Sequence, residues 1–157
     1  MTEEVVIITL DQTQQAFVDK YRNIESLDEG FYLTDCFHGQ RRSGRTEAVI
    51  QLALDLVHST DDRITITIYT YSRTAFRMAE TRFRAKYPLL LVSSTEENGI
   101  CVDNALHIRN KYGNCVVEIQ CIDEGGIIHG DESVDLAILD GLDGEMCANA
   151  YRVLCVQ

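Results

Sequence analysis

The sequence predicts an α/β fold, a three-layer sandwich around a mostly parallel sheet, in one domain over residues 1–157. Three observations predict it. After Arg63 comes ITITIYTYS, where Ile64, Ile66 and Ile68 alternate with Thr65, Thr67 and Tyr69 in the period-two pattern of a strand. Apolar residues recur at helical spacing on both sides of it: Val49, Ile50, Leu52, Ala53, Leu56 and Val57 before, Phe76, Ala79 and Phe83 after. Strand-like and helical segments thus alternate, as the right-handed crossovers of a parallel sheet require.

In chain order, Val5 to Leu10 is a continuous apolar, β-branched run read as a strand. DQTQQAFVDKYRNI follows as a helix, with Asp11 as its cap and Phe17, Tyr21 and Ile24 on one face. SLDEG breaks it, and YLTDCF (32–37) reads as a short buried strand. A Gly-bounded loop leads into the helix that opens on Arg45-Thr46. Beyond the strand at 64–72, Ser72 is placed to cap TAFRMAETRFRAKY. Pro88 then punctuates the chain, and LLLVSS reads as a fully apolar strand of the parallel-sheet type. Glu96 to Gly99 is a polar turn. Ala105–Arg109 and Cys115–Ile122 are strand-like around a hairpin turn at Lys111-Tyr112-Gly113-Asn114, and Asp123 to Gly126 is another turn. Ser133 to Asp140 is an apolar strand ending in a carboxylate, and AYRVLCVQ is a final strand.

Composition bounds the function. With 45% hydrophobic residues and one proline, the chain has apolar content enough for a core and no low-complexity tract. No apolar run reaches the roughly 18 residues of a membrane span, and the N-terminus carries acids where a signal peptide carries Lys or Arg. The expectation is a soluble intracellular protein, cytoplasmic, nuclear or virus-associated, without a membrane partner. The six cysteines and four histidines are dispersed and form no C-x-x-C, so free thiols are expected and no metal cluster. A net charge of −11 disfavours nonspecific nucleic-acid binding, but residues 41–86 carry nine of the fourteen Lys and Arg against five acids. A phosphate-facing edge and an acidic body fit that asymmetry.

The loop reads Gly39-Gln40-Arg41-Arg42-Ser43-Gly44-Arg45-Thr46, the phosphate-loop pattern G-x-x-x-x-G-K-[ST] with Arg45 in place of the lysine. Gly39 and Gly44 let the backbone turn tightly, so that its N–H groups converge on phosphate oxygens at the positive end of a helix. Arg45 supplies charge toward the terminal phosphates and Thr46 a hydroxyl for Mg²⁺. Arginine is a planar fork and does not thread where a lysine fits, which alters affinity or geometry. The plain alternative is a strand-to-helix loop with Ser43 near the helix start and its arginines in solvent.

About a hundred residues later, Asp140 closes its strand where P-loop hydrolases present the Asp that holds Mg²⁺ or its water shell, on a strand beside the loop strand. The alternative is that Asp140-Gly141 is a turn dipeptide. The co-occurrence of loop and strand-end Asp favours the site.

The succession GQRRSGRT, ITITIYTYS, LLLVSS, CVVEIQCID and IIHGDESVDLAILDG, over about residues 31–141, resembles the P-loop ATPase core of helicases and, more closely, of the large terminase subunits that pump viral DNA. The resemblance implies that Gly39, Gly44, Arg45 and Thr46 bind ATP and that Asp140 serves Mg²⁺. It places Tyr69 to Arg73 at a DNA-proximal motif and HGDESVD at the turn into the Asp-bearing strand. The family follows its Asp with a Glu that polarises the attacking water; here that position is Gly141, and Asp143 and Glu145 lie past a turn. Without a positioned base, hydrolysis falls by roughly two to four orders of magnitude. A weak or dead ATPase that retains phosphate binding is expected, acting with DNA or within a larger assembly.

Two further readings stay open. One is an inactive adaptor, viral in character, that binds protein or nucleic acid through a basic patch at Arg73 and Arg77, four apart on one helical face with Arg84 further along. Against the patch stands a solvated face paired to Glu80. The other is a phosphate-loop mimic in an unrelated α/β fold.

Overall fold

In the computed structural model, the described residues are 10–38, 44–60, 63–71, 74–86, 92–93, 96–97, 100–101, 105–110, 112, 114–121, 134–142 and 150–157. The strand expected over Val5–Leu10 lies almost wholly outside them, as do Ser72, the turn at 123–126, and Asp143 and Glu145.

Helix α1 spans Gln12–Tyr21. Its start is a reciprocal cap: the Asp11 carboxylate accepts the Gln14 N–H at 2.8 Å and the Gln14 side-chain oxygen accepts the Asp11 N–H at 2.9 Å. Phe17, Val18 and Tyr21 are buried, and Ile24 adds to them from a short 3₁₀ turn. Strand β1 spans Gly30–Thr34, shifted from the expected 32–37 because the chain turns at residues 35–38. There the His38 N–H donates to the Asp35 carbonyl at 3.2 Å, and His38 takes a left-handed φ of 54°.

Helix α2, Arg45–Ser59, buries the whole expected stripe together with Ala48. Strand β2 is Ile66–Thr70, with all five residues buried. It sits mid-sheet, so the face that carries Thr67 and Tyr69 is covered as well as the Ile face. Helix α3 is Thr74–Lys86, turning Ala75, Ala79 and Phe83 inward. The remaining strands are β3 Val92–Ser93, β4 Glu96–Glu97, β5 Ile100–Cys101, β6 Ala105–Arg109, β7 Cys115–Cys121, β8 Val134–Asp140 and β9 Ala150–Val156.

Seven strands form one sheet in the order β1-β9-β8-β2-β7-β6-β3, and β4-β5 form a separate ladder where a polar turn was expected. The contacts from β1 through β7 are all parallel. Strands β6 and β3 then pair antiparallel, β6 reaching β7 through the expected hairpin. In that hairpin the Asn110 carboxamide oxygen accepts the N–H groups of Tyr112 and Asn114. LLLVSS thus yields an antiparallel strand, β3, at the end of the sheet and not a parallel strand within it.

The three helices share one apolar cluster with Ile66, Ile68, Ile119, Ile138, Leu154 and Val156, so they cover one face of the sheet. On the other face Tyr69, Ala137, Leu139, Leu142 and Cys155 form a second cluster. Among the described residues the fold is therefore α/β with a mostly parallel sheet and one helical layer, not the expected three-layer sandwich, because all three helices pack on the same face. No helix of the described residues is long and apolar enough to cross a membrane. Cys36, Cys115, Cys121 and Cys155 are reduced cysteines.

Candidate functional site

Parallel pairing sets a row of residues along the carboxyl edge of the sheet: Thr34 opposite Val156, Val156 opposite Asp140, Asp140 opposite Thr70. Strand β8 is not the direct neighbour of β1, since β9 lies between them. The Val156 carbonyl accepts the Gly141 N–H at 2.8 Å and ties the row together. Open α/β sheets bind their ligands outside this edge.

Helix α2 starts at the same edge. Its cap is Gly44, with φ of 80°, a conformation that strains any residue with a Cβ. A glycine cap has no side chain to accept the first-turn N–H groups, so the positive end of α2 carries no side-chain cap. The Gly44 carbonyl accepts the Ala48 N–H at 3.0 Å and the Gln14 Nε2 at 2.9 Å. Gln14 is 5% exposed, and a Cβ on residue 44 would lie 2.2 Å from its Nε2. Gln14 therefore spans from the cap of α1 to the cap of α2 and fixes where the loop re-enters the helix.

The two residues that follow Gly44 reach Asp140. The Thr46 hydroxyl donates to Asp140 Oδ2 at 2.7 Å, and Arg45 Nε donates to Asp140 Oδ1 at 2.9 Å. The Thr70 hydroxyl adds a third bond, to Oδ2 at 3.0 Å. The Asp140 side chain is 0% exposed and that of Arg45 is 23% exposed. A buried carboxylate needs this compensation. A cation in the first turn of a helix opposes its dipole, and Asp140 offsets the charge of Arg45 there.

Gly141, where the resembled family carries Glu, adopts φ of 72°. A Cβ there would stand 2.3 Å from Arg45 Nη2 and 2.6 Å from Cζ. The guanidinium fills the space that a side chain at 141 needs.

In the same first turn, Glu47 is paired with Arg82, itself 7% exposed, whose Nη1 also donates to the Glu47 carbonyl at 3.0 Å. This removes a negative charge from the mouth of the site.

Of the sequence-predicted residues, Gly44, Arg45, Thr46 and Asp140 come together. Gly39, Gln40, Arg41, Arg42 and Ser43 lie outside the described residues, as does Arg73 of the expected basic patch. Arg77 is exposed on α3. Of the expected DNA-proximal stretch, Tyr69 is buried and Tyr71 exposed. Thr70, Gln14 and Arg82 escaped the sequence reading. Gln14 carried a signal, a polar residue on the inward side of α1 at the third helical position.

A cleft of about 450 Å³ opens between α1 and the turn that follows β1, lined by Gln12, Lys20, Thr34, Cys36 and His38 among others. His38 immediately precedes the loop at 39–43.

A Mg²⁺ ligated by Asp140 does not fit this arrangement. Three of the roughly four acceptor sites of the carboxylate are taken. Its charge is already matched by Arg45 at 2.9 Å. Two unit positive charges about 4 Å apart repel by roughly 4 kcal/mol at an effective dielectric of about 20, and a dication doubles that. The Thr46 hydroxyl keeps lone pairs for a ligand on its outer side.

No family model matches the sequence, and no curated protein matches it. The fold and the edge site define an α/β domain with a helix N-terminus facing a buried, arginine-paired aspartate.

Proposed function

We propose that this domain binds the phosphates of a nucleoside triphosphate, with ATP as the first probe, at the N-terminus of α2. The observation that carries the reading is the Thr46–Asp140 hydrogen bond at 2.7 Å, which joins the loop hydroxyl to the strand-end carboxylate across 94 positions of sequence. The glycine cap of α2 supports it, because first-turn N–H groups without a side-chain cap are what a phosphate oxygen needs. The cleft beside His38 has the size and mixed lining that suit the nucleoside portion.

Under this proposal Gly39 to Gly44 cradle the phosphates, Arg45 contributes charge and Thr46 orients the terminal oxygens. The domain is related to terminase or helicase motor cores and works on DNA or within a larger assembly. Turnover is slow or absent, since Gly141 has no side chain to polarise water. Thermal unfolding tests the binding step. Saturating ATP raises the melting temperature of the wild type, and Thr46→Ala abolishes the rise. No shift at millimolar ATP would sink the proposal.

A second reading, the inactive adaptor, draws support from an exposed apolar strip. Phe31, Leu33 and Tyr151 are 52%, 60% and 52% exposed on the adjacent strands β1 and β9. Single exposed apolar residues are ordinary, but three together suit a protein contact. Loss of partner binding on Leu33→Asp, with ATP binding intact, would favour this role.

A further inference from the structure

We infer that the triphosphate is bound here without a divalent cation, the guanidinium of Arg45 holding the position at Asp140 from which a metal would draw its charge. The inference rests on the nucleotide-binding reading of the same site. Two observations carry it. Asp140 is fully enclosed and accepts from Arg45, Thr46 and Thr70, so a metal that takes one of its oxygens either displaces a donor or stands against the charge of the guanidinium. Arg45 is fitted into that place, because Gly141 leaves open the volume its Nη2 and Cζ occupy.

The substitution of arginine for lysine and the missing Glu are then one change and not two. A side chain at 141 forces the guanidinium to shift, and a guanidinium moved off Asp140 leaves that carboxylate free to support a metal. A planar fork also binds phosphate oxygens in pairs, which a point charge does not. The site therefore takes free nucleotide, or another polyphosphate, as readily as its magnesium complex.

The test is calorimetric titration of the full chain with ATP, once in excess Mg²⁺ and once in excess EDTA. The expected result is a dissociation constant that changes by no more than about threefold between the two. Arg45→Lys, which keeps the charge and releases Asp140 Oδ1, is expected to make binding in EDTA weaker than in Mg²⁺ by about tenfold or more. Gly141→Ala, which forces the guanidinium to shift, is expected to act in the same direction, and a circular dichroism melt of each variant verifies that it is folded. Wild-type binding that is lost on chelation overturns the inference and leaves the nucleotide reading standing. Binding in neither condition overturns both. Equal insensitivity to EDTA in wild type and Arg45→Lys overturns the role given to Arg45.

Discussion

Arg45 and Gly141 share one volume: a Cβ on residue 141 would lie 2.3 Å from Arg45 Nη2. Neither residue reads as a partner of the other in sequence, where they stand 96 positions apart. Their closeness turns two departures from a familiar pattern into a single packed pair. It also gives the pair a measurable coupling.

Gly141→Ala should destabilise the fold by about 1–3 kcal/mol, combining a left-handed backbone position with displacement of the guanidinium. In an Arg45→Ala background the same substitution should cost less, since only the backbone term remains. Chemical denaturation of the four proteins in this cycle gives the coupling directly. Strict additivity would mean that Arg45 moves aside at no cost.

Asp140→Ala should be among the more damaging single changes at the site, at about 2–4 kcal/mol, because Arg45, Thr46 and Thr70 all lose their acceptor. The cost stays below that of a fully enclosed pair because Arg45 is partly exposed and regains water. Urea midpoints of Asp140→Ala and wild type measure it, and a change under about 0.5 kcal/mol would contradict the burial argument.

Gln14→Ala removes the bond to the Gly44 carbonyl and opens space beside the cap of α2. A loss of about 1–2 kcal/mol is expected, a fall in melting temperature of roughly 2–8 °C for a chain of this size. The same variant should weaken ATP binding, because the loop then re-enters the helix less rigidly. Unchanged binding with lowered stability would confine Gln14 to a structural part.

Burial pushes the phenol of Tyr69 up from its ordinary value, and the nearby Glu118 charge adds to the effect. A phenol held neutral in the folded state contributes stability that is complete below the unfolded value of about 10 and lost as pH rises through the folded one. Stability should therefore decline above about pH 10, by up to roughly 1.4 kcal/mol per pH unit from this group, and Tyr69→Phe should flatten that part of the profile. Denaturant titrations across the alkaline range compare the two.

Much of the scaffold was legible in the residues. The helices at 12–21, 45–59 and 74–86 were visible because their apolar spacing has one consistent face, and Asp11 announces the first of them. The meeting of Thr46 and Asp140 was legible as well, through the motif spacing. What stayed hidden depends on long-range order. Nothing local tells β9 to insert between β1 and β8, and nothing in LLLVSS says that its strand pairs antiparallel at the end of the sheet. The Ile/Thr alternation of β2 reports a strand but not its neighbours, so its mid-sheet burial on both faces was not legible. Arg82 looked like one surface charge among several, and only the packing of α3 on α2 turns it toward Glu47.

The interposed strand β9 also dictates an order of events. Among the described residues strand β1 pairs only with β9, which is the last of the strands described, about 120 positions later. On the ribosome the loop strand waits for residues 150–156 before it is joined to the strand that bears Asp140. Closing so long a separation is slow, so the binding edge forms late in folding. A nascent chain thus leaves β1 unpaired, among the described residues, until β9 has been made.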